Sequence, residues 1–102
     1  MYKILFCCRA GVTTNMLVHS IKEEAHNRKL DVMVWAVAES AIELSYADAD
    51  VIFLAPQTAG SAEKVKSMVN GLCPVDIVNQ QDFAKMDAKA VLDRAIELIE
   101  KK

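Results

Sequence analysis

Cys8 closes the apolar run Ile4–Cys7 and is followed by Arg9-Ala10-Gly11-Val12-Thr13-Thr14-Asn15. A thiol before one glycine and several small polar side chains is a candidate nucleophile toward phosphorus. Backbone amides in such a loop lack partners of their own and can converge on an anion. Gly11 permits a tight turn or a positive φ. Thr13, Thr14 and Asn15 offer hydroxyl and amide donors, and any of the three could also cap a following helix. A tetrahedral dianion fits such a nest, and the expected product is a phosphocysteine. A helix N-terminus, worth about 0.3–1 kcal/mol to a nearby anion, and Arg9 next door are expected to lower the thiol pKa below its usual value of about 8.5.

Cysteine phosphatases with comparable loops carry Cys-x5-Arg, whose arginine grips the phosphate. Here the sixth residue after Cys8 is Thr14, and after Cys7 it is Thr13. No Asp-Pro pair supplies a general acid. Without those groups a phosphoryl group can be held while its loss to water stays slow, which suits a carrier. Three other readings compete with the carrier. They are a small cysteine-dependent phosphatase, a thiol reductase (against which stands the absence of Cys-x-x-Cys), and a non-catalytic regulatory module in which Cys8 is incidental.

Other residues attract simpler readings. Cys7 should alternate into the core, and a Cys7–Cys8 disulfide would be strained. Cys73, just before a strand, belongs at the opposite end of the sheet and reads as structural. The chain lacks the Gly-Lys-Ser/Thr of a Walker loop and the three spaced glycines of a dinucleotide fingerprint. His19 and His26 are seven apart on one helix face with no third ligand evident, so neither metal nor cofactor is expected. Asp48 and Asp50 read as turn residues far from Cys8. Met16 is expected to fill the core or to pack beneath the cysteine loop.

The elements that must position Cys8 follow from periodicity. Tyr2–Cys7 and Val51–Ala55 are continuous apolar runs, as strands buried on both faces require. Asp31–Val37 and Val75–Val78 read as two more strands. Thr13–Asn27, Ser61–Asn70 and Ala88–Lys101 carry helical apolar stripes. Ser40–Tyr46 reads as a short helix, with Ser40 capping toward Glu43. Gly71 stands where a helix end wants a left-handed residue. Alternating strands and helices predict an α/β domain of three layers, with a parallel four-stranded sheet in order 2-1-3-4 and helices on both faces. Strands 1 and 3 are then neighbours with diverging connections, so a crevice opens at their carboxyl ends, where Cys8 lies.

The bulk properties agree. A length of 102 residues predicts a single domain over 1–102. Net charge is −2, and no basic stripe is present for nucleic acid or anionic lipid. The N-terminal apolar run is too short for a membrane span or signal peptide, and three cysteines are an odd count, so a cytosolic, reducing location is expected.

The stretches LFCCRAGVTTNMLV and VIFLAPQ together resemble the IIB subunits of the lactose/cellobiose (diacetylchitobiose) branch of the bacterial phosphoenolpyruvate-dependent sugar phosphotransferase system. The resemblance covers essentially the whole chain. Members carry a Cys-x-x-Gly-x-x-Thr-Ser type loop after strand 1 and a Leu-Gly-Pro-Gln type segment after strand 3, on a topology resembling low-molecular-weight tyrosine phosphatases. It implies that Cys8 is the phosphorylated cysteine. Arg9, Ala10, Gly11, Val12, Thr13, Thr14 and Asn15 would form the phosphate-binding loop, and Pro56, Gln57 and Thr58 the loop beside it. It implies a phosphotransferase that takes a phosphoryl group from a IIA phosphohistidine and passes it to a sugar, expected to be a β-linked disaccharide, held by a membrane IIC partner. The chain is expected to be a monomer that meets the inner face of the membrane through IIC. Val12, Met16, Pro56 and Gln57 are candidates for the docking rim. Three departures from the family pattern stand out: Arg9 after the cysteine where a small residue is usual, Thr14-Asn15 in place of Thr-Ser, and the paired Cys7.

Overall fold

A computed structural model describes residues 2–8, 11–38, 41–42 and 46–101, with positions 8, 11–14, 57 and 59 described by their backbone. Four strands, β1 (Tyr2–Cys8), β2 (Val32–Ala38), β3 (Val51–Leu54) and β4 (Val75–Ile77), form one sheet. All its pairs are parallel and the order is β2-β1-β3-β4, as the sequence predicts. Helices α1 (Gly11–Asn27), α2 (Ala62–Val69), α3 (Gln80–Lys85) and α4 (Ala88–Glu100) complete the fold.

The apolar runs explain the layering. Successive side chains of a strand point to opposite faces. Ile4 and Phe6 of β1 join Phe53, Leu17, Ile21, Val91, Leu92 and Ala95 in a core between the sheet and α1 and α4. Leu5 and Cys7 join Ile52, Leu54, Val65, Val69 and Cys73 in a second core on the α2 side. β1 and β3 are therefore covered on both faces, and every residue of β3 is buried. Helices on both sides of the sheet make the three layers, and they fix which way the chain leaves each strand.

Local chemistry sets the ends. Asn70 takes the left-handed conformation after α2 (φ 48°, ψ 44°) and Gly71 follows at φ 81°. The left-handed stop expected at Gly71 is thus shared by two residues. Helix α3 has no counterpart among the predicted elements. It is six residues long and buries only Phe83, too little for an apolar stripe. Its signals are local: Asn79 Oδ1 accepts from the Gln81 amide at 2.8 Å, and Met86 closes the helix at φ 52°. The helix expected at Ser40–Tyr46, with Ser40 capping for Glu43, falls largely outside the described residues. Of it, Ala41 and Ile42 form a 3-10 turn with Ile42 buried, and Tyr46 opens a second 3-10 turn, Tyr46–Asp48.

Asp50 has a structural use at the far end of the sheet. Its carboxylate accepts from the Lys3 amide at 3.1 Å and its own amide donates to the Lys3 carbonyl at 2.8 Å. Lys3 lies about 16 Å from Cys8 along the strand, so Asp50 belongs to the start of β1 and not to the cysteine. Arg28 holds the end of α1 to α4 through Glu24 (2.7 Å) and Asp93 (2.5 Å), and these hydrogen bonds raise its pKa further. Asp87 caps α4 by accepting from the Ala90 amide at 3.1 Å. Asp87→Ala is expected to lower stability by about 1 kcal/mol and Asp87→Asn by little, as urea unfolding midpoints would report.

Candidate functional site

The carboxyl ends of β1 and β3 lie side by side, where the sequence places the candidate site. β1 ends at Cys8, which pairs in register with Ala38 of β2. β3 ends one step earlier, at Leu54 opposite Cys7. The chain after Leu54 turns away at Ala55-Pro56, while the chain after Cys8 leaves toward α1 on the other face. Strands β1 and β3 are thus neighbours whose following helices, α1 and α2, lie on opposite faces of the sheet.

Only two residues, Arg9 and Ala10, separate β1 from α1, and they lie outside the described residues. So short a separation keeps the start of α1 within about 11 Å of the end of β1. The helix runs for 17 residues and has no acidic residue in its first turn. Its first-turn amides, which have no intrahelical acceptors, and its dipole thus meet no carboxylate from that turn. Helices α2 and α3 differ, carrying Glu63 and Asp82 in their first turns.

Two expectations about the loop change. The helix begins at Gly11, not at Thr13. Gly11 is a helical residue and not a turn residue, and Thr13, Thr14 and Asn15 lie inside the helix and not at its cap. The physical reason is that the first-turn amides have no intrahelical partners to lose, so a glycine there costs less than in the middle of a helix. The side chains of Cys8, Gly11, Val12, Thr13, Thr14 and Gln57 fall outside what is described, so their expected contacts with an anion stay as sequence readings. Met16 is 54 % exposed. It lies on the surface beside Asn15, lining a shallow groove with His19, Ser20 and Met86, and does not pack beneath the loop.

Cys7 and Cys73 are both buried in the α2-side core, where their sequence positions put them. His19 is exposed and meets Glu23 at 2.7 Å. Among the described residues no three His, Cys, Asp or Glu side chains converge as a metal site. Arg94, a third arginine with Arg9 and Arg28, is engaged by Asp76 at 2.9 Å and Glu97 at 3.2 Å.

Just after β3, Pro56–Ser61 forms a 3-10 helix. Thr58 of this turn reaches the end of β1. Thr58 turns inward. It is 1 % exposed, and its hydroxyl donates toward Ala55 O at 2.9 Å and Cys7 O at 3.2 Å. A hydroxyl has one hydrogen, so the bond is shared between two carbonyls. These bonds tie Thr58 to its own turn and to the end of β1. A threonine bonding back three residues is a local habit legible in sequence. Its bond to Cys7, 51 residues away, is not.

Known proteins match this arrangement over nearly its full length. The oligo-beta-mannoside-specific EIIB component of Bacillus subtilis (strain 168) is 26% identical over 100 residues, covering 97% of each chain. The solution structure of the cellobiose-specific phosphotransferase IIB component from Borrelia burgdorferi superposes with a TM-score of 0.83 at 29% identity, covering 99% of this chain and 94% of that one. The lactose-specific IIB component domain from Streptococcus pneumoniae has the same fold, with a TM-score of 0.85 at 21% identity over 95% and 96% of the two chains. The model of the family "PTS system, Lactose/Cellobiose specific IIB subunit" matches residues 3–94. With that span covering both the cysteine loop and the Pro56 turn, the chain belongs to the lactose/cellobiose IIB family of the sugar phosphotransferase system.

Proposed function

We propose that Cys8 accepts a phosphoryl group from the phosphohistidine of a IIA protein and hands it to a sugar bound by a membrane IIC partner. One observation carries the reading: only two residues separate the last residue of β1 from a long helix whose first turn has no acidic residue. In the first step the Cys8 thiolate attacks phosphorus, the S–P bond forms, the N–P bond of the donor breaks, and the imidazole leaves and takes up a proton. In the second step a sugar hydroxyl oxygen attacks, the O–P bond forms, the S–P bond breaks, and the thiolate leaves as the hydroxyl proton goes to a base on the acceptor side. Each step is an in-line displacement whose equatorial oxygens the loop amides stabilise.

A thiolate serves both steps, because it is a good nucleophile and a good leaving group. Arg9 adjoins Cys8 in sequence and is assigned to the loop. Gly11, Val12, Thr13, Thr14 and Asn15 are assigned to it through the first turns of α1, and Pro56 and Gln57 to the opposite wall. Met16 and Pro56 are assigned as partner contacts, in an encounter of modest area. No helix among the described residues is long and apolar enough to cross a membrane, consistent with a cytoplasmic carrier that reaches the membrane through IIC. The sugar is held by another polypeptide and follows from that partner.

Incubation with phosphoenolpyruvate, the general phosphotransferase proteins and a matching IIA is expected to add one phosphoryl group to the intact mass. Steady, Cys8-dependent turnover of a chromogenic phosphomonoester would instead identify a phosphatase. No gain with any IIA would leave Cys8 incidental.

A further inference from the structure

We propose that Thr58 is a positioning residue for Cys8, acting through the peptide bond that precedes it. This rests on Cys8 being the phosphorylated residue. Thr58 is the buried polar side chain among the described residues, and its hydroxyl reaches the Cys7 carbonyl, 51 residues away in sequence.

Neither carbonyl it touches needs the hydroxyl to avoid being orphaned. Ala55 O already accepts from the Thr58 amide at 2.8 Å, and Cys7 O already accepts from the Ala55 amide at 3.1 Å. A buried polar group that is dispensable for satisfying its neighbours, yet costly to desolvate, needs another account. The hydroxyl adds a second strap between the Pro56–Ser61 turn and the end of β1. The peptide joining Cys7 to Cys8 is planar. Holding the Cys7 carbonyl from two sides therefore fixes the plane that carries the Cys8 amide and Cα, and with it the direction from which Cys8 can meet phosphorus. The same strap sets the spacing between Cys8 and the opposite wall at Pro56.

The test compares Thr58→Val, which keeps the shape and removes the hydroxyl, with Thr58→Ser, which keeps the hydroxyl. Two readouts are followed: the pH profile of Cys8 alkylation by iodoacetamide, located by peptide mapping, and the rate of phosphoryl gain from a IIA donor. Thr58→Val is expected to slow both by roughly tenfold and to move the midpoint of the alkylation profile, because small displacements of a reacting atom cost rate steeply. Thr58→Ser is expected to restore both to near the unsubstituted values. A folded Thr58→Val with unchanged rate and midpoint overturns the inference, as does a Thr58→Ser variant as slow as Thr58→Val. Should Thr58→Val fail to fold, the unsubstituted chain decides. Its Thr58 methyl and Cys7 carbonyl carbon resonances are expected to follow the titration of Cys8, and resonances that stay still overturn it. If the unsubstituted chain never gains a phosphoryl group, the carrier function fails. If it does and Thr58→Val gains one equally fast, only the role of Thr58 fails.

Discussion

Cys8→Ser is expected to fold and to lose phosphoryl gain by more than about a thousandfold, the scale seen when a nucleophile is removed from an intact site. Serine is close to isosteric, and position 8 is the last residue of β1, where strand pairing depends on backbone groups. The unfolding midpoint should therefore move by no more than about 5 °C. The chemistry fares differently. A serine hydroxyl is hardly ionised at neutral pH and its alkoxide is a poor leaving group, so both acceptance and release are impaired. The neighbouring Cys7 offers no substitute, because it is fully buried on the α2 side of the sheet. Intact mass of the variant after exposure to a phosphorylated IIA checks this. A phosphoryl gain as fast as in the unsubstituted chain would remove Cys8 from the mechanism.

Phe53→Ala is expected to cost about 3–5 kcal/mol of stability, a large part of what a domain this size possesses. Phe53 is 1 % exposed and lies directly opposite Phe6 in the β1–β3 register. The two rings stack with centroids 5.5 Å apart and 24° between planes. They form the floor of the core beneath α1 and α4, and close-packed neighbours cannot collapse into the space a lost ring leaves. The same pair joins β1, which ends at Cys8, to its neighbour β3, so the scaffold of the candidate site and its stability share a residue. Urea unfolding would show a lower midpoint with an unchanged slope. A loss below about 1 kcal/mol would mean that the core repacks.

The central strands were legible because Ile4–Cys7 and Val51–Leu54 are buried on both faces, and only continuous apolar runs satisfy that. The order of strands followed from short parallel crossovers, and the position of Cys8 at a carboxyl end followed from the order. What escaped is local or distant in instructive ways. The start of α1 at Gly11 was hidden because glycine reads as a loop residue, yet first-turn positions tolerate it. Helix α3 rests on one buried residue, Phe83, with an Asn79 cap and a left-handed Met86, and a window tuned to apolar periodicity passes over it. Met16 reads as core by type, but its place on α1 leaves it on the surface. Thr58 follows the Pro-Gln segment in sequence, and its short-range bond to Ala55 is a local one. Its other partner, the Cys7 carbonyl, is set by strand register, which no local pattern encodes.

The claim on which the function depends is that the sulfur at the end of β1 holds a phosphoryl group against water until an acceptor arrives. The most direct measurement is to phosphorylate the chain with a IIA donor, remove the donor, and follow both the phosphopeptide containing Cys8 and free inorganic phosphate over time. One phosphoryl group on Cys8, persisting in buffer and lost rapidly only when IIC-containing membranes and sugar are added, is the predicted result. Phosphate found on another residue, or released to water as fast without sugar as with it, would contradict it.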